Sequence, residues 1–215
     1  MSEPASRIAN LEALRPFGAS AESLWPRLAN GVQPGTRRTI VFLGTTHRAG
    51  TSTVAACTAA ALARNLRAKV VLVELGTGGS TLAPLLGLPE GPGLAELLRE
   101  GATPRTCLRG CEIEGLEFVT AGRGSVQPGS LASARAVRVF EELGAGRDFL
   151  FIDAPPIQLH PELNPILMHA REAVLVLVAE ETRREAARAL LESVRRAGLT
   201  VIGSVLNRAR TTPFG

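Results

Sequence analysis

Nine residues, Gly44-Thr45-Thr46-His47-Arg48-Ala49-Gly50-Thr51-Ser52, stand between an apolar run (Thr39 to Leu43) and an Ala-rich stretch (Ser52 to Leu66). Strand, glycine-containing loop and helix in that order make a phosphate cradle. The free N–H groups at a helix N-terminus and the helix dipole both favour an anion. The working pattern is G-x-x-x-x-G-K-[ST]. Here Gly50 and Ser52 are in place, Thr45 occupies the first glycine position, and Thr51 the lysine position. What is missing is the ammonium that neutralises phosphate oxygens. Of 24 basic residues only one, Lys69, is a lysine. Arg48 lies in the loop but on a different part of it, and its guanidinium is bulkier and forked. The same residues also read as an ordinary strand–helix turn with Thr51 or Ser52 as the helix N-cap.

Two carboxylates complete the candidate chemistry. Asp153 follows Phe149–Ile152 and precedes Ala154-Pro155-Pro156. An acid there would hold the Mg²⁺ shell beside a phosphate, or simply make a turn before the prolines. Glu74 ends the run Val70–Val73, where it would act on metal or water, or face solvent. Cys57, Cys107 and Cys111 lack metal-ligand spacing, and His47, His160 and His169 are scattered along the chain, so neither set reads as a metal site. No nucleophile–base motif is visible.

The elements that must position these residues alternate. Continuous apolar runs at 39–43, 69–74, 116–120, 148–152, 173–178 and 200–206 suit strands buried on both faces. Helical stretches fall at 52–66, 93–100, 130–143 and 183–197. This order predicts an α/β fold with a mostly parallel sheet, helices on both faces, and ligands at the carboxyl ends of the strands. Residues 1–36 read as an N-terminal arm, with Leu11, Leu14, Leu24, Trp25 and Leu28 interrupted by Pro16, Gly18 and Pro26. Residues 37–215 read as the body, and 76–93 as its loosest segment.

With 45% apolar and 20% charged residues, the 215-residue chain has enough apolar content for one core. No run approaches the ~20 apolar residues of a spanning helix. The N-terminal stretch lacks the apolar centre of a secretory signal, and three cysteines suit a reducing cytoplasm. A net charge of +4 with scattered arginines and 4% aromatics argues against nucleic acid.

The order of pieces over about residues 36–210 resembles the cytoplasmic tyrosine autokinases of bacterial capsule and exopolysaccharide synthesis, within the deviant P-loop ATPase group. Ala49-Gly50-Thr51-Ser52-Thr53, Val71-Leu72-Val73-Glu74, Leu86-Gly87-Leu88-Pro89, Arg147 to Pro156 and Gly203 to Asn207 carry it. The resemblance implies a P-loop NTPase-like three-layer fold. It places Ala49 to Thr53 and Asn207 on ATP or ADP (Asn207 at the adenine), Ser52 and Asp153 on Mg²⁺, and Glu74 at the first aspartate of the second catalytic motif. It also implies a partner: the cytoplasmic segment of an inner-membrane polysaccharide chain-length or export protein. Self-association and a position at the inner face of the membrane, without a transmembrane segment of the chain's own, complete the expectation. The departures are Thr51 for lysine, Gly76 for the family's second aspartate, Gly78-Gly79-Ser80 for the stretch that follows it, and the lack of any tyrosine. Glu22, Trp25 and Leu28 do not reproduce the family's oligomerisation spacing. The pattern therefore points to a catalytically impaired, pseudokinase-type relative acting as a regulator or scaffold, with an ATP-binding, slowly hydrolysing enzyme of the same pathway as the alternative.

Overall fold

A computed structural model describes residues 18–30, 35–76, 79–99 and 102–209. Leu11, Leu14, Pro16 and Gly78 lie outside them. The strands are β1 (Arg38–Gly44), β2 (Val70–Glu74), β3 (Arg109–Gly110), β4 (Leu116–Val119), β5 (Phe149–Ala154), β6 (Glu172–Val178) and β7 (Thr200–Asn207). They form one sheet in the order β3-β4-β2-β5-β1-β6-β7, parallel except for the β3–β4 pair.

Because successive strand residues point to opposite faces, each apolar run feeds two cores. Ile40, Phe42, Leu72 and Phe151 belong to one cluster; Val41, Leu43, Val73 and Ile152 belong to the other. Helix α2 (Thr51–Leu66) covers the first face. Helices α4 (Leu94–Leu98), α6 (Ala134–Gly144) and α7 (Arg184–Arg196) cover the second, giving three layers. Two further short helices, α3 (Leu82–Leu85) and α5 (Pro104–Cys107), fill connections. Helix α2 is buried from Val54 through Ala63, since it lies between the sheet and helix α1 (Gly18–Ala29). Its alanines permit that close approach on both sides.

Helix α1 falls inside the segment read as an arm and runs through Pro26. Leu24 and Leu28 are buried in the first core cluster, and Trp25 packs against it. Arg38 ties the helix down by donating to the Leu28 carbonyl, while its other guanidinium nitrogens donate to Glu172 at 2.7 and 2.8 Å. Burying two leucines, about 1.5–3 kcal/mol each, offsets the one backbone hydrogen bond that Pro26 removes.

Segment 76–93 is not loose where it is described. Leu82, Ala83, Leu86 and Leu88 are buried, and Leu88 N–H donates to the Ala83 carbonyl at 2.8 Å.

Candidate functional site

The loop after β1 is shaped by its glycines and by β7. Gly50 caps α2 in the left-handed region at φ +83°, and neither Thr51 nor Ser52 serves as the side-chain cap. A Cβ on Gly50 would stand 2.2 Å from Asn207 Nδ2. That amide donates to the Ala49 carbonyl at 2.8 Å, and Asn207 Oδ1 accepts from Arg208 N–H at 2.9 Å. Arg208, itself left-handed, donates to the Arg48 carbonyl at 3.0 Å and pairs with Glu181 at 3.3 Å. The end of β7 therefore clamps the loop from residues 48 to 50, and Asn207, expected at an adenine, holds loop backbone. At the base, Thr45 Oγ1 meets Thr182 Oγ1 at 3.2 Å.

Thr51 does not reach outward as a lysine would. Its Oγ1 lies so near Gly44 that a Cβ there would be 2.5 Å from it. The hydroxyl is folded back over the end of β1. Ser52 Oγ lies 3.1 Å from Thr81 Oγ1 and is hydrogen-bonded to Asp153.

Asp153 sits inside β5, in register with Phe42 of β1 and Glu74 of β2. Burial pushes its carboxyl up to about 7; the Ser52 hydrogen bond opposes this and the Glu74 carboxylate adds to it. A carboxyl that titrates higher in the folded than in the unfolded state holds its proton more tightly when folded. The stability tied to that proton is full below the ordinary 3.8 and is lost as pH climbs to about 7. A displacement of this size is worth on the order of 4 kcal/mol. Asp153→Asn, neutral throughout, is expected to gain stability over the parent by up to that amount at about pH 8 and to gain little at about pH 4. Urea melts of both proteins at the two pH values measure this, and an equal difference at both would overturn it.

Glu74 is buried, not solvent-facing, and its oxygens are fully engaged. Oε1 accepts from Thr81 N–H, from Thr81 Oγ1 at 2.7 Å and from Leu82 N–H at 3.0 Å. Oε2 accepts from Ser80 Oγ and from Ala121 N–H at 2.9 Å. A carboxylate offers about four lone-pair positions, so these donors leave none for metal or water. What reasoning from sequence missed here is an anchor: Glu74 fixes the start of α3 and the end of β4 around the site.

These residues border a cavity of about 360 Å³, walled by Thr46, His47, Arg48, Gly50 to Thr53, Glu74, Thr81, Asp153 and Arg208. The Ser52 hydroxyl and Asp153 carboxyl are hard oxygen donors of the kind Mg²⁺ takes, and they are already paired with each other. They fit that ion; Glu74 does not. The three cysteines contribute nothing here: burial pushes every thiol up, that of Cys57 to about 11. His169 Nε2 lies 2.7 Å from the Leu131 carbonyl and its ring stacks on Phe140. His47 and His160, distant in sequence, meet with their Nε2 atoms 3.2 Å apart.

Sheet order and the loop after β1 give a P-loop NTPase-like three-layer fold, with Ser52 and Asp153 on one cavity. The septum-site protein MinD of Pyrococcus horikoshii, solved with Mg-ADP, shares the fold at TM-score 0.69 and 22% identity, over 83% of this chain and 73% of that one. The relatives in sequence are named as tyrosine-protein kinases of bacteria, and kinase domains are among the structural neighbours. The chain is 28% identical over 141 residues to the Staphylococcus aureus protein CapB, by name a tyrosine-protein kinase, covering 65% of this chain and 62% of CapB. It is 23% identical over 148 residues to tyrosine-protein kinase ptk of Acinetobacter johnsonii, covering 68% of this chain but 20% of ptk. The VpsO kinase domain superposes at TM-score 0.81 with 20% identity, over 92% of this chain and 96% of that one. The BceF tyrosine kinase domain does so at 0.74 with 26% identity, over 94% and 83%. No family model matches the chain. Among the described residues no helix is long and apolar enough to cross a membrane.

Proposed function

We propose that this protein is a catalytically impaired relative of the tyrosine autokinases. On this reading it serves as a cytoplasmic regulator or scaffold of capsule or exopolysaccharide synthesis and export. It docks on the cytoplasmic segment of an inner-membrane chain-length or export protein, as a peripheral component at the membrane. The observation that carries the reading is Thr51: Gly50 caps α2 in a left-handed turn, yet the side chain at the lysine position is a hydroxyl folded onto Gly44. The five donors on Glu74 support it, since they remove a second carboxylate from chemistry. Ala49 to Thr53, with Asn207 behind them, then form a residual ATP or ADP site. When bound, Mg²⁺ would supply charge neutralisation at the phosphates, held through Ser52 and Asp153. The residues themselves position the ligand by backbone N–H groups.

A second reading is a slow ATPase or kinase of the same pathway. Arg48 and Arg208 favour it, because both border the cavity and bring positive charge there.

Phosphoryl transfer separates the two. The protein is incubated with Mg-ATP labelled on the γ-phosphate, together with a tyrosine-containing copolymer and the candidate partner's cytoplasmic segment. Under the first reading the segment binds and no phosphotyrosine forms on either substrate. Transfer to tyrosine above the level of an Asp153→Asn control overturns impairment; no binding to the segment overturns the scaffold role.

A further inference from the structure

His47 and His160 carry an inference independent of nucleotide. His47 lies in the loop between β1 and α2, and His160 in the stretch after β5. Their Nε2 atoms are 3.2 Å apart, their ring centroids 5.1 Å apart, and their planes cross at 72°. Two imidazoles sharing an in-line N–H···N bond of that length would hold their centroids about 5.5 Å apart. The shorter centroid distance means that the two nitrogen axes do not both lie along the N···N line. Equal tilts of the two axes toward one point would place that point about 2 Å from each nitrogen at an angle of about 110°, the Zn–N distance and tetrahedral angle of a zinc site.

We propose that His47 and His160 form a two-histidine site for a zinc-class dication beside the cavity wall at His47. Neutral imidazole suits Zn²⁺, Ni²⁺ and Cu²⁺, whereas Mg²⁺ and Ca²⁺ prefer oxygen. Two protein ligands leave two tetrahedral positions for water or for an anionic oxygen. Arg48 also borders the cavity and opposes a cation there, but it is exposed and screened by water. His47 is part of the cavity wall, so a bound dication would bring positive charge to a loop that lacks its lysine. That last consequence rests on the phosphate-loop reading; metal binding itself does not.

The test uses the untagged full chain, stripped of metal by a chelator and titrated calorimetrically with Zn²⁺ in the absence of nucleotide. One ion per chain is expected, undisturbed by excess Mg²⁺. His47→Gln and His160→Gln should each weaken binding by at least the 10–100-fold that follows loss of an outer-shell partner, and the double variant should abolish it. In the unmodified protein, Zn²⁺ should shift the ring resonances of both histidines together in NMR spectra, a readout that needs no variant. No heat of binding and unmoved resonances would overturn the proposal and leave two rings sharing a proton. Zn²⁺ binding undiminished in the double variant would overturn it equally. Because nucleotide is absent, neither failure bears on the ATP site, and failure of ATP binding does not bear on this one.

Discussion

Thr51→Lys is expected to raise the affinity of the cavity for Mg-ADP and Mg-ATP about tenfold to hundredfold. A charge-assisted hydrogen bond contributes about 1.5–3 kcal/mol, and each 1.4 kcal/mol is about a factor of ten in affinity. The loop has the features that make the substitution informative. Gly50 holds its left-handed turn, Asn207 and Arg208 fix the backbone of residues 48 and 49, and Ser52 is paired with Asp153. The lysine cannot follow the path of the threonine hydroxyl, which ends against Gly44; its longer stem must lie along the cavity, as the motif requires. Calorimetric titration of parent and variant with both nucleotides measures the change. Micromolar Mg-ATP binding by the parent, with no gain on adding lysine, would mean that Arg48 and Arg208 already supply the charge, and would favour the slow-enzyme reading. A gain confined to the variant would support loss of the cation as the cause of impairment.

The sequence was most legible where one physical cause acts locally. Strands buried on both faces must be apolar throughout, so the runs from Thr39 to Leu43 and from Phe149 to Ile152 show their place without help from elsewhere. The strand–loop–helix order then puts the loop and Asp153 at one edge, and the structure lines one cavity with both. What could not be read depends on residues that only the fold brings together. Pro26 and Gly18 hide α1, because the pattern gives no sign that α2 offers Leu24 and Leu28 a surface to bury against. Glu74 shows itself as a strand-end acid; its donors at Ser80, Thr81, Leu82 and Ala121 become neighbours only once β2 lies beside β4. His47 and His160 are 113 residues apart and meet only across the β1–β5 pair. Asn207 entered only through the resemblance, as an adenine contact; its hold on the Ala49 carbonyl could not be read, since nothing in the sequence reveals that Gly50 leaves the space its amide fills.

Glu74→Ala is expected to destabilise the fold by on the order of 3–5 kcal/mol, the range for removing one member of a buried, fully paired polar group. The substitution leaves three backbone N–H groups, of Thr81, Leu82 and Ala121, and two hydroxyls, of Ser80 and Thr81, without their acceptor. At 2% exposure Glu74 leaves water little access to replace it. Glu74→Gln keeps one carbonyl oxygen but turns the other acceptor into a donor facing two donors, so it should lie between parent and alanine. The loss should also be spatially specific. Thr81 connects Glu74 to Ser52, so freeing residues 80–82 should speed amide exchange at α3 and the start of α2 before it reaches β6 and β7. Urea melts give the magnitude and hydrogen exchange gives the location. A catalytic carboxylate would behave in the opposite way, because groups held ready for chemistry are retained at some expense of stability. If Glu74→Ala melts like the parent or higher while abolishing a measurable nucleotide turnover, Glu74 acts on metal or water after all, and the anchoring role argued from its five donors is wrong.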